Sequence, residues 1–216
     1  YVGLPLAVKL SNSFDVIGYD ISTKRTTELN NLNDTTKEVS ASILRKAKRL
    51  RISSNTVSIK DKYIYIITVP TPVNKKNLPD LSLIKKACIL VGKLMAKQSI
   101  VIFESTVYPG VTEDICAPIL SKVSGLVLNK TFFLGYSPER INPGDKKHSV
   151  DKITKVVSGS NKEITKTIGK IYKTIIKAGV FYAKSIEVAE TAKAIENAQR
   201  DINIAFVNEI ALLCQK

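Results

Sequence analysis

One segment near the end of the chain carries a lysine and an asparagine at a spacing that could serve hydride transfer. Lys193 and Asn197 lie four residues apart within residues 190–209, and this spacing places both on one face of a helix. An ammonium group and an amide N–H can bind an alkoxide and stabilise it while its hydride leaves. In a chain this rich in lysine, Lys193 alone is equally compatible with a solvated surface group.

Three motifs follow apolar segments that are typical of buried strands. They are Thr-Val-Pro-Thr-Pro at residues 68–72, Glu-Ser-Thr-Val-Tyr-Pro-Gly at 104–110 and Tyr-Ser-Pro-Glu-Arg-Ile-Asn-Pro-Gly at 136–144. Ligands of open α/β sheets bind at the carboxyl ends of the strands, so a cofactor would lie against these motifs. Taken singly, the threonines could be turn residues and Glu139 a helix cap or a surface carboxylate.

A glycine and an aspartate near the start of the chain have the spacing of part of a dinucleotide-binding motif. Gly3 opens a predicted helix, and Asp20 ends a predicted strand seventeen positions later. The third glycine of such a motif permits close packing of helix and strand, and an acidic residue about 20 positions on binds the ribose hydroxyls. The first two glycines and their strand do not precede Gly3 here, so this pattern is weak by itself.

The elements that must position these residues alternate between strand and helix. Strands are predicted at 15–19, 62–68, 99–103, 132–135, 155–158 and 180–183. Helices are predicted at 4–10, 23–32, 37–50, 80–97, 112–120 and 161–177, and one long helix follows Ser185. This alternation predicts an α/β fold, a Rossmann-like doubly wound parallel sheet over residues 1–184. Residues 185–216 would begin a central helical domain, on a helix about 45 Å long that needs a partner.

Composition excludes several classes of protein. The 216 residues are 44% apolar and 24% charged, as in ordinary globular domains. No apolar stretch approaches the roughly 20 residues of a membrane helix, and no signal peptide pattern is present, so a cytoplasmic protein without a membrane partner is expected. Three separate cysteines without a CxxC pair and a single histidine, His148, predict neither a metal site nor a disulfide framework.

The net charge of +14 favours anionic partners, and a basic nucleic-acid-binding protein is one alternative. Its test is a steep salt dependence of DNA binding. The basic residues are spread along the chain, however, and no aromatic–basic interleaving or recognition motif accompanies them. No nucleic-acid partner is therefore expected.

Taken together, the motifs resemble the UDP-glucose/GDP-mannose dehydrogenase family, and within it the bacterial UDP-N-acetylhexosamine 6-dehydrogenases of the Vi-antigen type. The separated motifs occur in the family's order along the whole chain. The resemblance implies NAD-dependent, two-step oxidation of a sugar C6 alcohol to a carboxylate for surface polysaccharide biosynthesis. A cysteine captures the intermediate aldehyde, a second hydride transfer gives a thioester, and water cleaves it. The 6-phosphogluconate and 3-hydroxyacid dehydrogenases also carry lysine and asparagine on a long helix, but they lack the segments at 104–110 and 136–144.

The resemblance also implies roles for individual residues. The expected NAD-binding residues are Val2, Gly3, Asp20, Arg25, Thr71 and Thr106. Thr106 is also expected near the reacting centre, Glu139 is expected to position or activate the hydrolytic water, and Lys193 and Asn197 are expected to stabilise the oxyanion. The expected substrate-binding residues are Glu139, Arg140, Asn142, Lys193 and Asn197. The long helix is expected to form a homodimer.

The chain departs from the family pattern at two places. Plain UDP-glucose dehydrogenases carry a second glutamate where this chain has Pro143, so UDP-N-acetylglucosamine is the expected substrate, with its galactosamine and mannosamine epimers as close alternatives. The catalytic cysteine of the family lies in a Gly-Gly-x-Cys segment beyond the long helix, which Cys88, Cys116 and Cys214 do not match. Cys88 and Cys214 are expected in the core.

We therefore expect an N-terminal fragment of a 6-dehydrogenase, without the first strand and the first glycines of the NAD-binding motif. Such a fragment is expected to be inactive alone and to bind NAD poorly. The alternative from a different class is a non-catalytic remnant, or a partial gene product that retains only the fold.

Overall fold

A computed structural model describes residues 2–139 and 153–215 of the protein. Within these residues, the strands are β1 (Val16–Tyr19), β2 (Leu50–Ser53), β3 (Ile64–Ile67), β4 (Ser99–Phe103), β5 (Phe132–Tyr136), β6 (Lys155–Gly159) and β7 (Val180–Tyr182). The α-helices are α1 (Gly3–Leu10), α2 (Thr23–Asn30), α3 (Ala41–Lys46), α4 (Ser82–Leu94), α5 (Ala117–Ser124), α6 (Lys162–Lys173) and α7 (Ile186–Cys214). A 3-10 turn spans Thr56–Ile59, and a π-helical segment, Val111–Cys116, leads into α5.

The strands form two sheets. A five-stranded sheet has the order β3-β4-β5-β6-β7, and β1 pairs with β2 in a separate two-stranded sheet. All pairs are parallel except β5 and β6, which are antiparallel. The prediction of a Rossmann-like α/β fold with a parallel sheet is confirmed, and the β5–β6 pair is an antiparallel exception that the sequence did not predict. An antiparallel neighbour needs no helical crossover, and the sequence between β5 and β6 shows no helical periodicity.

The large sheet is covered on both faces, as a doubly wound fold requires. Alternate residues of β4 enter different cores. Val101 and Phe103 pack in one cluster with residues of α4, α5 and α7, while Ile100 and Ile102 pack in the other with residues of α1 and α6. This burial on both faces explains why β4 reads as a continuous apolar run in the sequence. A third, smaller cluster lies between β2 and helices α1, α2 and α3.

The basic segment at 37–50 differs from its prediction. Only Ala41–Lys46 is helical, with Ser40 as the N-cap that accepts a hydrogen bond from the Ile43 N–H at 3.4 Å. Residues Leu50–Ser53 leave the helix and form β2, which pairs in register with β1. Leu50 and Ile52 pack on the small cluster, and the alternating exposed Arg51 made this stretch look like part of a charged helix.

Helix α7 is a single element of 29 residues, as predicted. Ser185 caps its first turn by accepting a hydrogen bond from the Val188 N–H at 3.1 Å. The helix is buried as far as Lys193, and its later half is exposed. Cys214 is exposed there too, so its predicted place in the core is wrong for this chain. Among the described residues, none of the helices has both the length and the apolar character that crossing a membrane requires.

Candidate active site

The loops that follow β3 and β4 are joined by hydrogen bonds at the carboxyl edge of the large sheet. The Ser105 hydroxyl donates to the Val69 carbonyl at 2.6 Å, and the Thr71 hydroxyl donates to the Thr106 carbonyl. The structure thus brings Thr71 and Thr106, which were predicted from separate motifs, into direct contact. The loop after β5 joins the same edge through the Ser137 N–H, which donates to the Phe103 carbonyl at 2.9 Å.

The start of α1 lies against the loop after β3. A Cβ atom added to Gly3 would lie 2.6 Å from the Thr68 hydroxyl oxygen, closer than any real side chain approaches. A side chain at this position would have to displace the Thr68 hydroxyl, so Gly3 permits the close approach of the start of α1 to the residue that follows β3. Val2 directly precedes the helix and is partly buried. The N-terminus of α1, with its unpaired N–H groups, therefore opens at the same edge as the threonine loops.

Asp20 and Arg25 are placed differently from each other. Asp20 follows β1, is exposed, and accepts a hydrogen bond from the Ser22 N–H at 2.8 Å. The Arg25 guanidinium points to the following loop, where it pairs with Asp34 at 2.6 Å and donates to the hydroxyls of Thr35 and Thr36. The structure thus holds Arg25 against residues 34–36, while Asp20 stands at the end of its strand.

Helix α7 is fastened to the loop after β4 by a glutamate that the sequence reasoning missed. The Glu190 carboxylate is fully buried and accepts hydrogen bonds from the Gly110 N–H at 2.7 Å and the Thr112 N–H at 3.0 Å. Gly110 has a φ of 94°, a left-handed conformation that suits glycine. Lys193 lies one helical turn beyond Glu190 and is also buried, whereas Asn197 is exposed.

A second feature that the sequence did not predict is a cluster of polar groups formed by Glu104, Lys155 and Tyr172 together with Glu139. The Lys155 ammonium contacts Glu104 Oε2 at 2.9 Å and Glu139 Oε2 at 3.5 Å. The Tyr172 hydroxyl donates to the other oxygen of Glu104. Burial by itself lowers the pKa of Lys155, but the two carboxylates outweigh it and raise that pKa. Burial, reinforced by Glu104, raises the pKa of Tyr172 well above its usual value. Lys155 is therefore a cation and Tyr172 a neutral donor.

The cysteines do not take part in this arrangement. Cys88 in α4 and Cys116 directly before α5 are fully buried, and the hydrogen bond that the neutral Cys88 thiol donates to the Cys116 sulfur, together with burial, raises the pKa of Cys88. A buried thiol in this state is a poor nucleophile. Among the described residues, the structure holds no group of His, Cys, Asp and Glu side chains suited to a metal ion. Arg140 and Asn142, which were predicted to bind substrate, lie outside the described residues.

A doubly wound sheet, a glycine-opened helix, an aspartate ending β1 and converging loops define the class of dinucleotide-binding domains. The model of the UDP-glucose/GDP-mannose dehydrogenase family, NAD binding domain, matches residues 1–176, and the model of the central domain of that family matches residues 187–216. The chain belongs to the UDP-glucose/GDP-mannose dehydrogenase family. The predicted family is thus confirmed.

Relatives of known name cover the chain almost entirely. The UDP-N-acetyl-D-glucosamine 6-dehydrogenase of Salmonella typhi is 51% identical over 213 residues, which are 99% of this chain and 50% of that protein. Protein CapL of Staphylococcus aureus is 51% identical over 100% of this chain and 51% of its own length. The structure of the UDP-D-ManNAc dehydrogenase from Pyrococcus horikoshii aligns with a TM-score of 0.92 at 30% identity, over 99% of this chain and 51% of that one. The chain spans about half the length of the curated relatives it matches.

Proposed function

We propose that the protein to which this chain belongs oxidises the C6 alcohol of a UDP-N-acetylhexosamine, UDP-N-acetylglucosamine first among them, to the uronate for a surface polysaccharide. Membership of the family and 51% identity to a UDP-N-acetyl-D-glucosamine 6-dehydrogenase support this. The observation that carries it is the Glu190 anchor, which ties the helix of Lys193 to the loop of Thr106. Thr106, which we assign to cofactor binding, and Lys193, which we assign to oxyanion stabilisation, thus lie on two segments that this anchor joins.

The edge of the sheet at α1 fits NAD. Gly3 leaves the start of α1 without a side chain, and a helix N-terminus with accessible N–H groups suits a pyrophosphate. Val2, Gly3, Thr71 and Thr106 would hold the cofactor along this edge, and Asp20 would accept hydrogen bonds from its ribose hydroxyls. Bound there, NAD supplies the acceptor for the hydride of C6.

Arg25 is also assigned to the adenosine end of the cofactor, but its role differs from that of Asp20. Its guanidinium is engaged with Asp34, so it supports the loop at 34–36, beside the end of β1 that carries Asp20.

The remaining residues act on the sugar. Lys193, presented from the buried part of α7, and Asn197, one turn further, stabilise the negative charge that develops on O6. Glu139 orients and deprotonates the water that cleaves the thioester. In enzymes of this family, that thioester is formed on a cysteine. Arg140 and Asn142 are assigned to substrate binding.

The architecture of the whole protein is part of this proposal. We assign residues 1–184 to the NAD-binding domain and residues 185–216 to the start of a central helical domain. The later half of α7 exposes apolar side chains such as Ile202 and Phe206, and a second copy of α7 would cover them in a homodimer. We place the protein in the cytoplasm, where UDP-sugars and NAD are available.

The test is an assay of the full-length protein with NAD and each candidate sugar nucleotide. We expect two NADH for each UDP-N-acetylglucosamine, because an alcohol loses two hydrides on its way to a carboxylate. Lys193→Met should lower kcat by about 100-fold or more, since it removes an electrostatic group from the transition state. Lys184→Met is the matched control, because Lys184 is exposed just ahead of α7, and it should leave kcat unchanged. Preference for UDP-glucose would overturn the assigned substrate, and absence of NADH with all sugars would overturn the proposed reaction.

A further inference from the structure

The reversal of one strand brings a lysine to the site. In the antiparallel pair β5–β6, Gly135 lies opposite Gly159 and Tyr136 opposite Ser158. When this pairing is extended by four residues, forwards from Gly135 and backwards from Gly159, Glu139 falls opposite Lys155. The amino end of β6 therefore lies at the same edge as the carboxyl ends of β3, β4 and β5. Lys155 is 5% exposed, and its ammonium is 3.5 Å from the Glu139 carboxylate.

Lys155 is itself held on several sides. Its ammonium donates to Glu104 at 2.9 Å and to the Pro138 carbonyl at 3.4 Å, and it lies 5.4 Å from the centre of the Tyr172 ring. Glu104 in turn accepts the Tyr172 hydroxyl on its second oxygen. An ammonium and a carboxylate are costly to bury unless both are paired and hydrogen-bonded, and this cluster meets that condition. The position of the Lys155 ammonium is thus fixed by β4, α6 and the residue before Glu139.

The two carboxylates on Lys155 differ in access to solvent. The Glu104 side chain is fully buried, whereas that of Glu139 is 13% exposed. Both oxygens of Glu104 are used inside the protein, by Lys155 and by Tyr172. Glu104 therefore cannot reach a substrate, and its contacts serve to hold Lys155. Glu139 is the carboxylate of the pair that water can reach.

We propose that Lys155 is a positioning residue that fixes the Glu139 carboxylate at the mouth of the site, with Glu104 and Tyr172 holding Lys155 in place. This inference rests on the proposed function, in which Glu139 serves the hydrolytic step. In that step the water oxygen forms the new bond to C6, the carbon–sulfur bond breaks, and the sulfur leaves as a thiolate. One proton of the water passes to Glu139, so the direction of that carboxylate decides whether the step proceeds.

The experiment compares Lys155→Met, Lys155→Arg and Glu104→Gln in the full-length protein. Lys155→Met should lower kcat by about 10- to 100-fold, less than the roughly 10²- to 10⁴-fold that a positioned acid–base group contributes because Glu139 itself remains, with KM for the sugar changed by less than about twofold. The covalent acyl-enzyme should accumulate during turnover and be visible by intact-mass spectrometry. Lys155→Arg keeps the charge and should recover most of kcat. Glu104→Gln retains an oxygen for Lys155 and should have an intermediate effect.

Lys173→Met is the matched control. Lys173 also lies 5.4 Å from a tyrosine ring, that of Tyr182, but it is exposed, and its substitution should leave kcat and the acyl-enzyme level unchanged. An unchanged kcat in Lys155→Met would overturn the inference. A parallel loss of kcat, sugar affinity and thermal stability that arginine does not rescue would do the same, because it would indicate a purely structural role.

A measurement that does not depend on turnover separates this inference from the proposed function. Crystal structures of the full-length Lys155→Met and Lys155→Arg proteins should show the Glu139 carboxylate displaced in the first and retained in the second. A wild-type protein that oxidises no UDP-sugar would overturn the proposed function, and these structures would still decide whether Lys155 positions Glu139. Retention of Glu139 in the Lys155→Met structure would overturn the positioning role.

Discussion

Asp34 is the carboxylate with the most hydrogen bonds on the β1–β2 side of the protein. It accepts from the Arg25 guanidinium, from the Thr36 hydroxyl and from the backbone N–H of Glu38 and Val39. Burial by itself raises the pKa of Asp34, but the hydrogen bonds outweigh it and lower the pKa from 3.8 to about 2. The ionised form is therefore stabilised by folding.

This lowered pKa predicts a pH dependence of stability. Because the pKa of Asp34 is lower in the folded than in the unfolded chain, its stabilisation is complete above about pH 4 and is lost as the pH falls towards 2. Asp34→Asn should lower the free energy of unfolding at pH 7 by about 1.5–3 kcal/mol, the usual worth of hydrogen bonds to a charged group. The difference between the two proteins should shrink below pH 4 in urea titrations.

Asp15→Asn provides the control for this prediction. Asp15 pairs with Arg49 at 3.0 Å, but its side chain is 89% exposed, and exposed pairs contribute about 0–1 kcal/mol. A difference between wild type and Asp34→Asn that stays constant from pH 7 to pH 2 would contradict the assignment to the ionised carboxylate.

At the level of residues, the sequence could point to side chains that belong to local motifs. Thr71 and Thr106 were predicted from loops that follow apolar runs, and the structure joins them by a hydrogen bond. Lys155 could not be found in this way. In an all-parallel sheet, the first residue of a strand lies at the edge opposite the site, and only the reversal of β6 brings it to Glu139.

At the level of helices and strands, the contact between α7 and the loop after β4 depends on one carboxylate, that of Glu190. Glu190→Gln leaves a single oxygen for two N–H donors and presents an amide N–H to one of them. We expect a loss of about 1–3 kcal/mol in the free energy of unfolding, the cost of an unsatisfied buried group. Amide hydrogen exchange at Gly110 and Thr112, whose N–H groups bind Glu190, should become faster.

The matched control is Glu187→Gln, because Glu187 lies one turn earlier on α7 and is exposed. It should change neither the exchange of these two amides nor the stability by more than about 0.5 kcal/mol. Equal exchange rates at Gly110 in wild type and Glu190→Gln would show that the loop does not depend on this anchor.

Where the apolar residues recur with a clear period, the bounds of the helix or strand were predicted to within a few residues. The isoleucine stripe of α6 and the uninterrupted pattern of α7 specify helices, and β4 was predicted with the bounds that it has in the structure. The prediction of a helix over residues 37–50 was wrong at its end, because the many charges obscured the alternation of Leu50, Arg51 and Ile52 that forms β2. The direction of β6 is set by pairing with β5 rather than by its own residues, so the pattern within the strand could not show it.

At the level of the whole molecule, the exposed apolar side chains in the later half of α7 predict that the protein forms a homodimer. Ile202 is 67% exposed, and in the proposed homodimer it would be covered by the second copy. Ile202→Asp should raise the dissociation constant of the full-length dimer by about tenfold or more, since it buries a charge in an apolar contact. Sedimentation velocity over a range of concentrations measures this shift.

Asp201→Asn serves as the control at the neighbouring exposed position and should leave the dissociation constant within about twofold, as surface substitutions usually do. A full-length protein that sediments as a monomer at all concentrations would contradict the homodimer.

The division into two sheets leaves β1 and β3 each with one side on which a further strand could pair. Among the described residues, β1 pairs only with β2, and β3 pairs only with β4, so each presents one edge of unpaired backbone groups. Open edges are usually protected by charged side chains, yet Val-Ile-Gly-Tyr of β1 and Ile-Tyr-Ile-Ile of β3 contain none. These two edges therefore offer backbone N–H and C=O groups with which a further strand of the full-length protein can pair.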